Sequence, residues 1–336
     1  MYLAPLNYDR FFKKVFSDTD IAKKFLEDFL NETITEIEQL GDKHRVTDDA
    51  AIVEFDYRCK IKGKYIIIDM QQWYKPDVVK RFYLYHSLNT GLQLETLGTK
   101  FVVDSSDVLS DKKIQKNYER VDPVYTLIWM VDDNLHYEGD YAEFSLQHQS
   151  VSNFIKDEEL WFNADINEIS SRRTEISEIT DNKYKNINFL SENKLVFMFQ
   201  KNIVSNIKNN KINEKYSRWF EFAIKTRDGN NSIEDFREYA KDTIFKEVIR
   251  RLKKDDLNED DIEYLESEDE NIRLTLDFYM RQEKQMEEQR KEGIEQGIEK
   301  ERVKNAKGML DAGLTVKQVA DILKMSVDDL NNIINN

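Results

Sequence analysis

The chain has 336 residues, 40% hydrophobic and 12% aromatic, which supports a packed core and excludes a disordered polymer. A formal net charge of −15 excludes a protein that coats nucleic acid through a general basic surface, so any phosphate contact must be local. A single cysteine, Cys59, excludes an intramolecular disulfide framework and a cysteine-only metal cage, and points to a reducing compartment.

The opening stretch MYLAPLNYDRFFKK lacks the apolar core of a signal peptide, and no apolar run approaches about 18 residues. A cytoplasmic protein with no membrane partner is therefore expected. Residues 9 to 40 carry Phe12, Val15, Phe16, Ile21, Phe25, Phe29 and Leu30 at helical spacing, with Asp18 or Thr19 as the cap of a second helix. From Ala50 the period changes to two. AIVEFDYRCKI and KYIIIDMQQW, joined at Lys62-Gly63, predict a β-hairpin.

Pro76 then suits the first turn of a helix through VVKRFYLYHSLNTGLQL, where its missing N–H costs little. VYTLIWMV after Pro123 predicts a buried strand, and EFSLQHQ at 143 to 149 another, giving the order ααββαββ. Beyond Asp157 the segments NKLVFMFQKNIV, KYSRWFEFAI and IEDFREYAKDTIFKEVIRRL predict helices between polar breaks. Asp277 to Lys307 predicts a long exposed helix. The tail GLTVKQVADILKMSVDDLNNII then predicts two short helices, with Thr315 and Ser326 as caps, in a helix-turn-helix-like outline. Its second helix is acidic, so packing or self-association is expected of this tail more than DNA reading.

The hairpin carries the chemistry. With a two-residue turn Ile61 faces Lys64, and the same register sets Phe55 against Met70, Tyr57 against Ile68 and Cys59 against Ile66 on one apolar face. The other face sets Glu54 against Gln71 and Asp56 against Asp69, with carboxylate-bearing Cβ atoms about 5 Å apart. Like charges that close are repulsive unless a cation joins them, and an all-oxygen donor set suits Mg²⁺ or Mn²⁺. The bland alternative is an edge hairpin with solvated acids. Against it, Ile66, Ile67 and Ile68 make the second strand too apolar for an exposed edge.

FKKVF, FDY, IIIDMQ and the helix bearing Arg81 and Tyr85 resemble the recombination-promoting nuclease and putative transposase family of the PD-(D/E)XK nuclease superfamily. EGIEQGIEKE followed by GLTVKQVADILKMSVDDL is similar to the C-terminal extension of many of its members. The resemblance implies an α/β fold with a restriction-endonuclease-like αβββαβ core (1–155) and a C-terminal helical extension (277–336), and the helical pattern between them makes 156–276 a mainly helical region that no motif of the family covers. It further implies Mg²⁺-dependent hydrolysis of DNA phosphodiesters in recombination, mobile elements or phage defence. Asp56 and Asp69 match the two acids of the motif, and Gln71 stands where the superfamily has lysine. This family more often has Glu at the position of Asp69, and Phe55 stands where the motif is named for proline.

In that reading Asp56, Asp69 and the Met70 carbonyl hold the metal, Gln71 orients water or phosphate, and Lys80 or Arg81 adds a cation. Asp9, Glu54 and Tyr85 are second-tier candidates, with a helix cap, a surface acid and core packing as their plainer roles. The four histidines, His44, His86, His136 and His148, lack metal-ligand spacing. Cys59 on the apolar hairpin face suits packing more than nucleophilic attack, and no phosphate-binding glycine loop or nucleophile elbow competes. The alternative is a weakly active or inactive nuclease fold serving as a binding or self-association module, its C-terminal helices joining copies of the chain.

Overall fold

The computed structural model describes residues 1–44, 52–73, 75, 77–102, 113–132, 135–180, 187–208 and 215–330. The expected strand start at Ala50 and the helix-initiating Pro76 lie outside them, as does the end of the last helix. In chain order the first elements are helices α1 (Asp9–Phe16) and α2 (Thr19–Leu30), then strands β1 (Ile37–Gln39), β2 (Lys43–His44), β3 (Val53–Glu54), β4 (Tyr57–Ile61) and β5 (Lys64–Gln71). Helix α3 (Val78–Thr96) leads to strands β6 (Thr99–Val102), β7 (Lys113–Lys116), β8 (Val124–Met130) and β9 (Tyr141–Phe144). Helices α4 (Gln149–Lys156), α5 (Glu158–Asn163), α6 (Ile166–Thr180) and α7 (Asn188–Glu192) precede strand β10 (Lys194–Phe199). The helices that follow are α8 (Gln200–Lys208), α9 (Ser217–Thr226), α10 (Thr243–Leu252), α11 (Glu259–Asp311) and α12 (Val316–Leu323).

The result is a mixed α/β architecture built on a six-stranded sheet in the order β1-β4-β5-β8-β10-β9. The β1–β4 and β4–β5 pairs are antiparallel, β5, β8 and β10 are mutually parallel, and β9 is antiparallel to β10. Parallel neighbours need a crossover, and α3 lies in the connection between β5 and β8. The hairpin register matches the expected one over five pairs, from Tyr57–Ile68 to Ile61–Lys64. Gly63 turns it with φ +69°, a left-handed conformation that glycine adopts without penalty.

Pleating sends alternate residues to opposite faces. On one face Trp129 of β8 meets Phe12 of α1, Phe25 of α2 and Phe220 of α9 at ring centroid distances of 5.9, 5.8 and 4.0 Å. The Asp18 side chain caps α2 by accepting from the Asp20 and Ile21 amides, and α2 stops at Asn31, which takes the left-handed conformation. On the other face Val78 and Phe82 of α3 pack with Ile128, Met130, Leu195, Phe197 and Phe199.

Three expectations fail here. NKLVFMFQKNIV is not one helix: Lys194–Phe199 is a strand whose five residues from Leu195 are buried, and the helix starts at Gln200. A continuous apolar run has no period, so a doubly covered parallel strand and a buried helix read alike. The strand expected at 143–149 is Tyr141–Phe144, with a helix from Gln149. The stretch from Ile233 makes two short 3-10 turns before α10, which begins only where Asp242 caps the Ile244 and Phe245 amides. Strand β10 and helices α9 and α10 therefore belong to the compact unit Met1–Ile262, which does not end near residue 155.

Residues Glu263–Asn336 form a second unit. Here the exposed helix is longer than the expected 277–307, being part of α11, which spans Glu259–Asp311. Ala306, Val319, Ala320 and Leu330 make a small core of their own. Thr315 caps α12 in a reciprocal arrangement with Gln318, and Ser326 Oγ accepts from the Asp329 amide at 3.0 Å, as their positions predict. No helix among the described residues is long and apolar enough to cross a membrane.

Candidate metal centre

β5 sits between two hydrogen-bonded neighbours, so Asp69 is carried into the interior by an apolar strand and is only 6% exposed. Ile67, Asp69 and Gln71 share the face covered by α3, because Ile67 packs with Leu92 and Gln71 meets Arg81. β4 does not extend to pair Asp56 with Asp69. The ladder stops at Tyr57, and the chain bends at Asp56. Phe55 then donates its amide to the Asp42 carbonyl and Glu54 pairs with Lys43 of β2, so the expected Phe55–Met70 and Glu54–Gln71 pairs are absent.

The bend also moves Phe55 off the expected Met70 face. Its ring packs with Ile67 and Leu92 and meets Tyr85 edge-on at 5.4 Å. Freed from the ladder, the Asp56 side chain replaces the missing strand partner, its Oδ2 accepting from the Met70 amide at 2.8 Å. In a strand a residue's N–H and C=O point to the same side, so the Met70 carbonyl faces the same gap. The structure thus brings Asp56, Asp69 and the Met70 backbone together by a route different from simple cross-strand pairing.

Two buried carboxyl groups in one place resist ionisation. Burial pushes Asp56 up to about 7, reinforced by the charge of Asp9 and opposed by the Met70 amide and Lys13. Asp69 is raised well above the carboxylate range, first by burial and then by Asp56, with Arg81 opposing. Its Oδ2 is sealed from solvent without a hydrogen-bond partner.

An unfolded chain releases the Asp56 proton near 3.8, while the fold retains it up to about 7. Between those values the unfolded state binds fewer protons, so this group makes stability fall as pH rises through that window and leaves it flat above. Urea denaturation in EDTA should show that slope in the wild type and a shallower one in Asp56→Asn. Equal slopes would remove Asp56 from the account.

Lys13 is the group that sequence reasoning did not single out. Its ammonium lies 2.9 Å from Glu54 Oε1, 3.1 Å from Asp9 Oδ2 and 3.5 Å from Asp56 Oδ1. Burial disfavours that charge, yet the Glu54 hydrogen bond with the Asp56 and Asp9 charges outweighs it and raises the Lys13 pKa. The only local signal is Asp9 four residues before Lys13 on α1. Glu54, held by Lys13 despite a small burial penalty, is lowered. Asp9 and Glu54 thus join the cluster through Lys13.

Arg81 donates to Gln71 Oε1, and Gln71 Nε2 donates to the Trp73 carbonyl, so both ends of the Gln71 amide are engaged within the protein. The Arg81 guanidinium also stacks 4.6 Å from the Phe82 ring centroid. Tyr85 is half-buried beside the acids, its pKa raised by burial and then by Asp69. Lys80 stays on the exposed side of α3. Cys59 is fully buried and its thiol is pushed up to about 12 by burial, which suits packing.

Among the described residues no group of three or more His, Cys, Asp or Glu side chains is placed to hold a metal ion. The smaller set of Asp56, Asp69 and the Met70 carbonyl does fit a hard divalent cation in donor chemistry. All its donors are oxygen, and Asp69 Oδ2 is a buried acceptor with nothing to accept from. Comparison with models of protein families, with curated proteins and with solved structures finds no match to the chain.

Proposed function

We propose that this chain is a divalent-metal-dependent deoxyribonuclease that hydrolyses phosphodiester bonds, with Asp56 and Asp69 at the reacting centre. The observation that carries the reading is the convergence of two buried carboxyl groups at the end of a hairpin, one with an unpartnered oxygen. It is supported by the run α2-β1-β4-β5-α3-β8, in which an antiparallel trio is followed by a helix and a parallel strand. With β2, β3, β6 and β7 taken as insertions, we read that run as the αβββαβ core expected of a PD-(D/E)XK nuclease.

In this mechanism Asp56, Asp69 and the Met70 carbonyl would hold Mg²⁺ or Mn²⁺, which when bound would supply Lewis-acid polarisation of the scissile phosphate and a lowered pKa for the attacking water. Lys13, between Asp56 and the solvent-facing Glu54, donates to a phosphate oxygen and offsets charge building on it. Gln71 is a positioning residue: it fixes the Arg81 guanidinium at the edge of the acid pair. Apolar walls from Phe55, Phe82 and Tyr85 keep the site poor in water, which strengthens each of these interactions.

The test is nicking of supercoiled plasmid DNA by the purified chain in Mg²⁺. Activity should vanish in EDTA and fall by about 10²-fold in Lys13→Gln. Nicking that survives EDTA sinks the proposal. The complete engagement of the Gln71 amide favours a second reading, a binding or self-association module on the same fold. Failure of Mg²⁺ and Mn²⁺ alike to support cleavage selects it.

A further inference from the structure

Arg58 is the most deeply buried arginine among the described residues, at 6% exposure. The more exposed Arg10, Arg218, Arg227 and Arg251 each have an aspartate partner. Arg58 has no salt bridge to a described residue: its hydrogen-bond contacts are neutral, and the Glu95 carboxylate acts on it only through space. Its Nε donates to Asn89 Oδ1 at 2.5 Å, and Nη1 lies 3.1 Å from His44 Nε2 and 3.4 Å from the Gly41 carbonyl. Asn89 is itself fully buried, and its Nδ2 has no acceptor. A guanidinium withdrawn from water with no salt bridge among the described residues, next to an amide donor with nothing to donate to, is a cluster of donors suited to an anion.

We propose that Arg58 and Asn89 form a phosphate-binding pocket beside the acid pair. Resting on the nuclease reading, we assign its occupant as a backbone phosphate of the substrate strand. The planar guanidinium fork matches a tetrahedral oxyanion, and the Asn89 amide supplies a further donor. Placement agrees: Arg58 pairs with Ile67 in the hairpin, which makes it a diagonal neighbour of Asp69, about 7–8 Å away across the strands. A strand whose scissile group sits at Asp69 thus passes a second anchor for a neighbouring phosphate. On a chain of net charge −15, such a recessed cationic point is how local phosphate contact survives an acidic surface.

Asn89→Asp places a carboxylate against Arg58 from within the protein and so competes with an external anion. The full chain and this variant are compared by thermal melting in inorganic phosphate against chloride at matched ionic strength, and by duplex binding in Ca²⁺ across a salt series. The wild type should melt higher in phosphate. Asn89→Asp should melt higher than wild type in chloride, gain nothing from phosphate, and bind duplex with a log–log salt slope shallower by about 0.9. Arg58→Gln should also lose the phosphate response, while melting lower.

A wild type unmoved by phosphate, together with an unchanged salt slope in Asn89→Asp, overturns the pocket. A phosphate response that Asn89→Asp abolishes, in a wild type that binds no duplex, defeats the nuclease reading and leaves the pocket with free phosphate.

Discussion

Asp69→Asn should make the metal-free protein more stable while removing its nicking activity. The carboxyl group is 6% exposed, shares its site with Asp56 and has one oxygen without a partner, so the fold carries it at a cost of about 1–3 kcal/mol. An amide of the same shape is neutral and can donate to Asp56, which relieves both the repulsion and the unsatisfied acceptor. Thermal melting in EDTA should rise by a few degrees, while Mg²⁺-dependent nicking should fall by about 10²–10³-fold. A variant that melts lower in EDTA, or that nicks as fast as wild type, would show that Asp69 is an ordinary structural acid.

The second large effect is expected at Trp129. Its ring is fully buried at the junction of α1, α2 and α9, and its Nε1 donates to Gln200 Oε1 at 2.6 Å. Gln200 in turn accepts from Asn7 Nδ2 at 3.2 Å, so the indole ties the sheet to the N-terminal loop as well as to three helices. Trp129→Ala should cost about 3–5 kcal/mol in urea denaturation, through the cavity and the lost hydrogen bond. Trp129→Phe should recover most of the packing and leave the Gln200 carbonyl with Asn7 alone. A loss below about 1 kcal/mol for the alanine variant would mean that the aromatic cluster closes over the gap.

The hairpin was legible because period-two hydrophobicity and a glycine turn together fix a register, and a one-residue slip would send every side chain to the opposite face of the sheet. Asp69 was legible for the same reason, being an acid at the end of an apolar strand. The bend at Asp56 was not, since it depends on β2 drawing Glu54 away from the ladder, a contact that no local pattern records. Lys13 was hidden because two of its three partners, Glu54 and Asp56, reach it only when α1 lies against the hairpin, with Asp9 alone close in sequence. β10 was misread because its six residues carry no period to separate a covered strand from a buried helix. The motifs FKKVF, FDY and IIIDMQ lie on α1, at the bend before β4 and on β5, but the geometry of their meeting had to come from tertiary structure.

The Tyr2 amide donates to the Asn231 carbonyl at 2.9 Å, Ala4 donates to Leu252 at 2.8 Å, and Lys254 returns a bond to Tyr2 at 3.0 Å. Tyr2 thus pairs with a residue 229 positions further along the chain, and Ala4 with one still more distant. Such distant pairing slows barrier crossing, because chain closure precedes the contacts that reward it. The centre of the sheet closes over far shorter separations, because β5 finds β4 and β8 within residues 57–130.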